Sequence, residues 1–197
     1  MIVLTSMSDP RLPTLLLSGQ VGVIASDTIY GLASLASNEE GISRLYGLKK
    51  RDKKPGTFIA ANIEQLLALG LQEEALHAVK HLWPNPISIV VPTRKTGTFF
   101  DLGKGSLAVR IPRDDVLLEI LQRTGPLVTS SANVSDHPPA ATFEEARAYF
   151  SDSVDFYVDS GDLSGRPAST VARFTEDGQI EIVRQGAVRI DDKGRLL

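Results

Sequence analysis

The chain alternates short apolar runs with amphipathic stretches, and no other feature of the sequence limits its fold as strongly. VGVIA (21–25) and ISIVV (87–91) have the length and composition of buried strands, whereas Ile42 and Leu45 in the stretch 37–48 are spaced for one face of a helix. Strand and helix signals that mix along a chain in this way are typical of α/β proteins. We therefore predict an α/β fold.

The last two apolar runs add a constraint on the sheet. STVARF (169–174) and QIEIVR (179–184) are joined by a turn that contains Glu-Asp-Gly, which predicts a hairpin of antiparallel strands. A sheet that contains this hairpin is not purely parallel. The expected architecture is a single domain with a twisted, mixed parallel and antiparallel sheet flanked by helices. Further strands are expected at TFIAA (57–61), SLAVRI (106–111), PLVTS (126–130) and VDFYV (154–158).

Side chains that satisfy the first free N–H groups of a helix mark where helices begin. Ser37 and Glu40 have the spacing of a capping box, which predicts a helix that runs to about Leu48. Similar signals predict further helix starts at Asn62, at Asp114 or Asp115, and at Thr142.

Length and composition limit the organisation and the partners of the chain. Its 197 residues fit one domain, predicted over 1–186, with a polar C-terminal tail over 187–197. With 21 Lys and Arg against 24 Asp and Glu, the protein is not a general nucleic-acid binder, so any contact with a polyanion must be local. The absence of cysteine excludes disulfides and cysteine zinc sites.

The first residues and the apolar runs predict a cytoplasmic protein without a membrane segment. MIVLTSMSDPRL (1–12) lacks the basic and apolar regions of a signal peptide. No apolar run approaches the roughly 18–20 residues that span a bilayer.

A basic segment contrasts with the acidic balance of the whole chain. LKKRDKKPG (48–56) places five basic residues around one acidic residue. The segment follows a predicted helix, whose dipole favours cations at its C-terminal end. Solvated surface lysines are therefore an alternative interpretation to a binding role for this segment. Three polar loops lie at strand ends, where α/β proteins bind ligands: ASDTIYG (25–31), VTSSANVSD (128–136) and GDLSGRPAST (161–170).

Other kinds of chemistry have weaker support in the sequence. Ser130 and Ser131 lack the G-x-S-x-G pattern of a nucleophile elbow, and the S-x-x-K element of a β-lactamase is absent. His77 and His81 have i, i+4 spacing but no H-E-x-x-H motif, so no metal site is predicted.

Taken together, the polar loops and their strands resemble the threonylcarbamoyl-AMP synthase (YrdC-like) family. The resemblance runs from about Leu12 to Gly186 through six ordered segments. These are GQVGVIASDTIYGL, LKKRDKKPG, WPNPISIVVP, SLAVRIP, GPLVTSSANVS and STVARF with the following IVRQG.

The resemblance implies an activity and its partners. Members of this family make L-threonylcarbamoyl-adenylate from L-threonine, bicarbonate and ATP, with release of pyrophosphate and with Mg²⁺ accompanying ATP. The product serves the modification of the tRNA adenosine next to the anticodon by a downstream threonylcarbamoyl-transferase complex. A weak contact with tRNA is a further expectation. The implied fold has a concave, positively charged cavity. The alternative hypothesis is a non-catalytic RNA-binding or ribosome-associated module of the same fold.

The resemblance also implies roles for individual residues. The expected catalytic residues, on the ATP phosphates, are Lys49, Arg51, Ser131 and Asn133. The further residues expected to bind ATP are Lys54, Ser106 and Arg184. The residues expected to bind threonine are Ser26, Arg110, Thr129 and Ser169.

The chain departs from the family pattern at several positions. Ala25-Ser26 stands where the family has Pro-Thr, so the hydroxyl is kept and the proline is not. Asp136 replaces a glycine close to the expected anion site, and the segment from Arg51 to Pro55 is one residue shorter than the family pattern.

Overall fold

The computed structural model describes residues 1–50, 55–94, 99–175 and 177–197, and within them the strands form one mixed sheet. The strands are β1 (Ile2–Leu4), β2 (Gly22–Ala25), β3 (Tyr30–Leu35), β4 (Thr57–Ile59), β5 (Ile87–Pro92), β6 (Ser106–Arg110), β7 (Leu127–Ser131), β8 (Phe156–Val158), β9 (Thr170–Phe174) and β10 (Ile180–Arg184). Their order across the sheet is β1-β8-β2-β3-β7-β4-β6-β5-β9-β10.

Parallel and antiparallel pairs both occur, which confirms the predicted mixed sheet. β8 pairs in parallel with β1 and β2, and the pairs β4/β6 and β5/β9 are parallel too. The pairs β2/β3, β3/β7, β4/β7, β5/β6 and β9/β10 are antiparallel. The predicted closing hairpin is therefore present as β9 and β10.

Helices flank this sheet. The α-helices are α1 (Leu12–Leu17), α2 (Glu39–Leu48), α3 (Ile63–Ala68), α4 (Glu73–Val79), α5 (Asp115–Thr124) and α6 (Phe143–Phe150). Short 3₁₀ turns follow α4 at Lys80–Leu82 and α6 at Ser151–Ser153. Among the described residues, no helix combines the length and the apolar character needed to cross a bilayer.

The two faces of the sheet are covered unequally. On one face, alternate strand residues such as Val109 and Val128 pack in the larger hydrophobic cluster with residues of α2, α4 and α6. On the other, called the cavity face below, Ile59 and Leu127 pack with α1 and α5. These two helices cover only part of the cavity face. Further along β7, Thr129 lines a cavity instead of packing under a helix.

The structure corrects the prediction of how α2 begins. Asn38, not Ser37, is the N-cap, because its side-chain oxygen accepts a hydrogen bond from the N–H of Gly41 at 3.0 Å. The Asn38 amide also donates to the carbonyl of Gly19 at 3.0 Å. This contact between distant segments fixes the cap one residue later than the capping-box pattern places it.

Two strands were not predicted from the sequence. β3 is buried along its whole length because it lies between β2 and β7, yet its Gly, Ala and Ser residues do not form a typical strand pattern. β1 lies at the sheet edge and buries only Leu4. Pairing with neighbours, which a single segment does not reveal, forms both strands.

The C-terminal segment 187–197 packs against the domain. Ile190 is 1% exposed and bridges to Leu196, and the N–H of Ala187 donates to the carbonyl of Ala168 at 2.9 Å. The predicted boundary at Gly186 remains a prediction.

Candidate active site

A cavity of about 310 Å³ opens on the cavity face of the sheet, beyond the part that α1 and α5 cover. Thr57 of β4 pairs with both Ala108 of β6 and Thr129 of β7, so these three side chains lie side by side and form its floor. Because they are small or hydroxylated where the covered part of the face carries leucine and isoleucine, they leave space for a ligand.

The structure brings most of the sequence-predicted site residues to this cavity. Those that line it are Ser26, Arg110, Thr129, Ser131, Ser169 and Arg184. Lys49 and Asn133 are buried residues in direct contact with Ser131. Ser106 is on the cavity face of β6 but outside the lining. Arg51 and Lys54 lie outside the described residues, so their predicted roles are untested.

Lys49 organises the chain that follows β7. Its Nζ lies 2.7 Å from the carbonyl oxygen of Ser131, 3.3 Å from the Ser131 hydroxyl and 2.5 Å from Oδ1 of Asn133. The Ser131 hydroxyl also donates to Oδ1 of Asn133 at 2.6 Å. Since Lys49 is only 2% exposed, its charge is held among these oxygens beneath the cavity.

The turn after β7 is fixed from both sides. The Asn133 amide donates to the carbonyls of Val134 and His137 at 3.0 and 2.6 Å, and the Ser135 hydroxyl donates to the carbonyl of Lys49 at 2.8 Å. Asp136 has a φ of 68°, a left-handed conformation that glycine adopts readily and aspartate tolerates. This backbone conformation explains how aspartate replaces the glycine expected from the family pattern.

Ser26 stabilises the loop between β2 and β3. Its hydroxyl donates to the carbonyl of Ile29 at 2.9 Å and lies 2.9 Å from the hydroxyl of Thr28. The N–H of Ser26 donates to the same Ile29 carbonyl at 3.1 Å. Ser26 therefore holds the loop in a tight turn as well as lining the cavity.

Asp27 is a site residue that the sequence analysis missed. Its Oδ1 lies 3.0 Å from Nη2 of Arg110 in an ion pair without hydrogen-bond alignment, and the two side chains are 2% and 6% exposed. Its Oδ2 accepts a hydrogen bond from the N–H of Arg113 at 3.1 Å. Burial lowers the pKa of the Arg110 guanidinium, and the negative charge of Asp27 acts in the opposite direction. The signals in the sequence were a carboxylate between two hydroxyl residues at a strand end and its place in a segment that resembles the family pattern.

The far side of the cavity is built from β9 and β10. The Ser88 hydroxyl donates to the hydroxyl of Ser169 at 3.2 Å, and Nη2 of Arg184 donates to the carbonyl of Ser169 at 2.8 Å. On the floor, the Thr129 hydroxyl donates to the carbonyl of Thr57 at 2.9 Å. These contacts hold the polar side chains in place before any ligand binds.

The described residues contain no group of three or more His, Asp or Glu side chains placed to hold a metal ion. His77 instead lies 3.6 Å from Glu73, and Nε2 of His81 lies 3.2 Å from the carbonyl oxygen of Gly194. The two histidines thus have separate partners.

An open cavity on a mixed sheet, with Arg110 and Arg184 in its lining, defines an α/β domain with a candidate site for a small ligand. The Sua5/YciO/YrdC family model, described as "Telomere recombination", matches residues 14–186. The chain belongs to this family.

A curated relative agrees with this membership, and solved structures share the fold. The threonylcarbamoyl-AMP synthase of Pseudoalteromonas atlantica is 32% identical in an alignment that covers 83% of this chain and 90% of the relative. P. abyssi Sua5 complexed with L-threonine has a TM-score of 0.80 at 24% identity, covering 95% of this chain and 57% of that chain. E. coli YciO has a TM-score of 0.80 at 17% identity, covering 98% of this chain and 97% of that chain. The two structural likenesses establish the fold.

Proposed function

We propose that the chain is a threonylcarbamoyl-AMP synthase, which makes L-threonylcarbamoyl-adenylate from L-threonine, bicarbonate and ATP. The observation that carries the proposal is one cavity whose lining contains a buried arginine, Arg110, together with Ser131, which is hydrogen-bonded to Lys49. A curated relative of that name, 32% identical over 83% of the chain, supports the same activity.

The part of the cavity near Arg110 is assigned to threonine. An arginine guanidinium offers a planar set of donors that matches a carboxylate. Arg110 therefore takes the carboxylate of the amino acid, while Thr129 and Ser169 contact its remaining polar groups. Ser26 contributes a hydroxyl to the same part and fixes the adjoining loop.

The part near Ser131 is assigned to the nucleotide. Lys49 and Asn133 hold the turn that presents Ser131, and Arg184 lines the cavity from β10. Arg51 and Lys54, in the basic segment that precedes Pro55, are assigned to the phosphates by their place in the family pattern. Ser106 is assigned to ATP on the same basis.

The chemistry needs positioning and charge neutralisation more than covalent help. The threonine amine and the carbon of bicarbonate form a carbamate with loss of water; a carbamate oxygen then forms a bond to the α-phosphorus and pyrophosphate leaves. Both reactants are anionic, so fixed cations and N–H or O–H donors lower the barrier. Mg²⁺ enters as the MgATP substrate and shares the phosphate charge.

Pyrophosphate release with each substrate omitted in turn tests the proposal. We expect release that requires MgATP, threonine and bicarbonate together, and a product with the mass of threonylcarbamoyl-adenylate. Equal release without threonine contradicts the assignment. Absence of release, combined with binding of an RNA oligonucleotide, favours the alternative of a non-catalytic RNA-binding module.

The wider role belongs to the same proposal. The product is passed, in the cytoplasm, to a downstream transferase complex that modifies tRNA. A hydrolysis-prone acyl-adenylate requires a nearby consuming reaction of the acyl-transfer class.

A further inference from the structure

The contact between Asp27 and Arg110 joins two segments beside the cavity that come from distant parts of the sheet. Asp27 lies in the loop between β2 and β3, whereas Arg110 ends β6. Two strands, β7 and β4, lie between β3 and β6. The Asp27 side chain therefore reaches over the cavity face to hold a residue from another part of the sheet.

Each oxygen of the Asp27 carboxylate has its own partner. Oδ1 faces Nη2 of Arg110 at 3.0 Å, and Oδ2 accepts the N–H of Arg113 at 3.1 Å. An asparagine offers one acceptor and a donor, so it cannot satisfy both partners. Only a carboxylate of this length fixes the guanidinium and the chain after β6 together.

The environment makes Arg110 depend on this partner. The Nε atom of Arg110 is buried without a hydrogen-bond acceptor among the described residues, and the side chain is 6% exposed. Burial of a cation without a counter-ion costs free energy. We therefore expect the Arg110 guanidinium to change its position when the Asp27 carboxylate is removed. Asp27, whose side chain is 2% exposed, is not among the residues that line the cavity, so it acts on a ligand through Arg110.

We infer that Asp27 is a positioning residue for amino-acid recognition: it fixes the Arg110 guanidinium where that group receives the carboxylate of the amino-acid substrate. This inference rests on the proposed function. A recognition site that is held in place before binding loses less conformational entropy when the ligand binds.

Binding of two ligands by calorimetry tests this role. L-Threonine and L-threoninol differ only in that threoninol carries a hydroxymethyl group in place of the carboxylate. A site built for a polar group rejects the analogue that lacks it, so wild-type protein should bind threonine at least about tenfold more tightly. In Asp27→Asn, which keeps shape and loses charge, this preference should fall below about threefold. In Asp27→Glu, which keeps the charge but moves it by one methylene, we expect the same fall.

Asp101→Asn is the matched control. Asp101 is also a buried carboxylate, with Oδ1 accepting the N–H of Gly103 at 2.8 Å, and it is not among the residues that line the cavity. Its substitution should reduce stability while the ligand preference stays at the wild-type value.

The outcomes separate this inference from the proposed function. A folded sample of either Asp27 variant, checked by circular dichroism, decides the question. If that sample keeps the wild-type preference for threonine over threoninol, the positioning role is wrong even though the synthase assignment stands. If wild-type protein binds neither ligand and releases no pyrophosphate, the proposed function and this inference are both wrong.

Discussion

The ammonium group of Lys49 lies 2.5 Å from Oδ1 of Asn133, a residue 84 positions further along the chain. The same ammonium group lies 2.7 Å from the carbonyl oxygen of Ser131. From the family resemblance we expect all three residues at the nucleotide phosphates. Their hydrogen bonds join them into one unit. Lys49 is thus placed to organise the turn that presents Ser131.

Lys49→Met should therefore reduce both stability and turnover. Methionine has a similar length but leaves several oxygens without their donor, and each buried unsatisfied group costs about 1–3 kcal/mol. We expect a lower free energy of unfolding by at least about 1 kcal/mol, and a fall in kcat/KM of about 10²-fold or more. Denaturant titration and the pyrophosphate assay measure the two effects.

Lys50→Met is the control for this substitution. Lys50 carries the same charge next in the chain but is exposed. Its variant should keep both quantities within about 0.5 kcal/mol of wild type, as surface substitutions usually do. Equal losses in both variants would show that general positive charge, not the Lys49 contacts, matters.

Gly56→Ala should disturb the floor of the cavity. A methyl group at Gly56 would lie 2.6 Å from the carbonyl oxygen of Thr129 and 2.9 Å from a methyl of Val128. Because these atoms belong to β7, relief requires a shift of the strand, and overpacking of this kind costs about 1–3 kcal/mol. Thermal unfolding checks the stability, and the threonine KM checks the cavity.

Gly47→Ala, the same substitution at another position, should have the opposite effect on stability. Gly47 lies in α2, and a methyl group there would meet nothing within 4 Å. Alanine in a helix is favoured over glycine by about 0.5–1 kcal/mol, so this variant should be more stable than wild type. A destabilised Gly47→Ala protein would contradict the described surroundings of α2.

Asn38→Ala should remove the cap of α2. Loss of an N-cap side chain costs typically about 1 kcal/mol, and the bond to the Gly19 carbonyl is lost as well. Ser37→Ala, at the exposed position that the sequence pattern favours, should change stability by less than about 0.5 kcal/mol. A larger loss of stability in Ser37→Ala than in Asn38→Ala would instead support the capping box predicted from the sequence.

The raised pKa of Tyr157 leads to a prediction of how stability changes in alkaline solution. Burial raises the pKa of Tyr157 to about 12, and its hydroxyl donates to the carbonyl of Ser151 at 2.8 Å. The unfolded chain has a tyrosine pKa of about 10, so it loses this proton first. The stability from neutral Tyr157 is complete below about pH 10 and is lost as the pH rises towards about 12.

The Tyr157→Phe variant isolates this effect. At pH 8 it should be less stable than wild type because the hydrogen bond is missing. Near pH 11 the difference should shrink, since only the wild-type tyrosine ionises on unfolding. Denaturant titrations at both pH values measure it, and a constant difference would show that the pKa of Tyr157 is not raised.

Arg51 lies outside the described residues, and its expected role comes from the family pattern. Its guanidinium presents a planar fork to phosphate that a lysine ammonium does not copy. Arg51→Ala should reduce kcat/KM by about 10²-fold or more, which is about 2.7 kcal/mol at 1.36 kcal/mol per decade, and Arg51→Lys should recover only part. Lys53→Ala, in the same segment, should stay near wild type. Equal effects of the two alanine variants would indicate a diffuse basic surface.

Most of the elements were predicted because their signals are local. Asn62, Asp114 and Thr142 cap their helices as predicted, since each contacts an N–H group three residues away. The strand at 127–131 and the closing hairpin likewise have their apolar and turn residues in one short stretch. β3 was not predicted, because its burial comes from β2 and β7, its neighbours in the sheet, and not from a local pattern.

The same difference between local signals and contacts of distant segments applies to the candidate site. Which loops carry hydroxyls, amides and cations is evident from the sequence, because chemical type and order along the chain are local properties. Which of these groups meet depends on how the strands and helices pack together. Lys49, the C-cap residue of α2, contacts Ser131 at the end of β7 and Asn133 beyond it. Asp27 reaches the chain after β6 across 86 residues. Such contacts depend on strand order and sheet register, which are set by the packing of the whole chain and leave no signal within either segment.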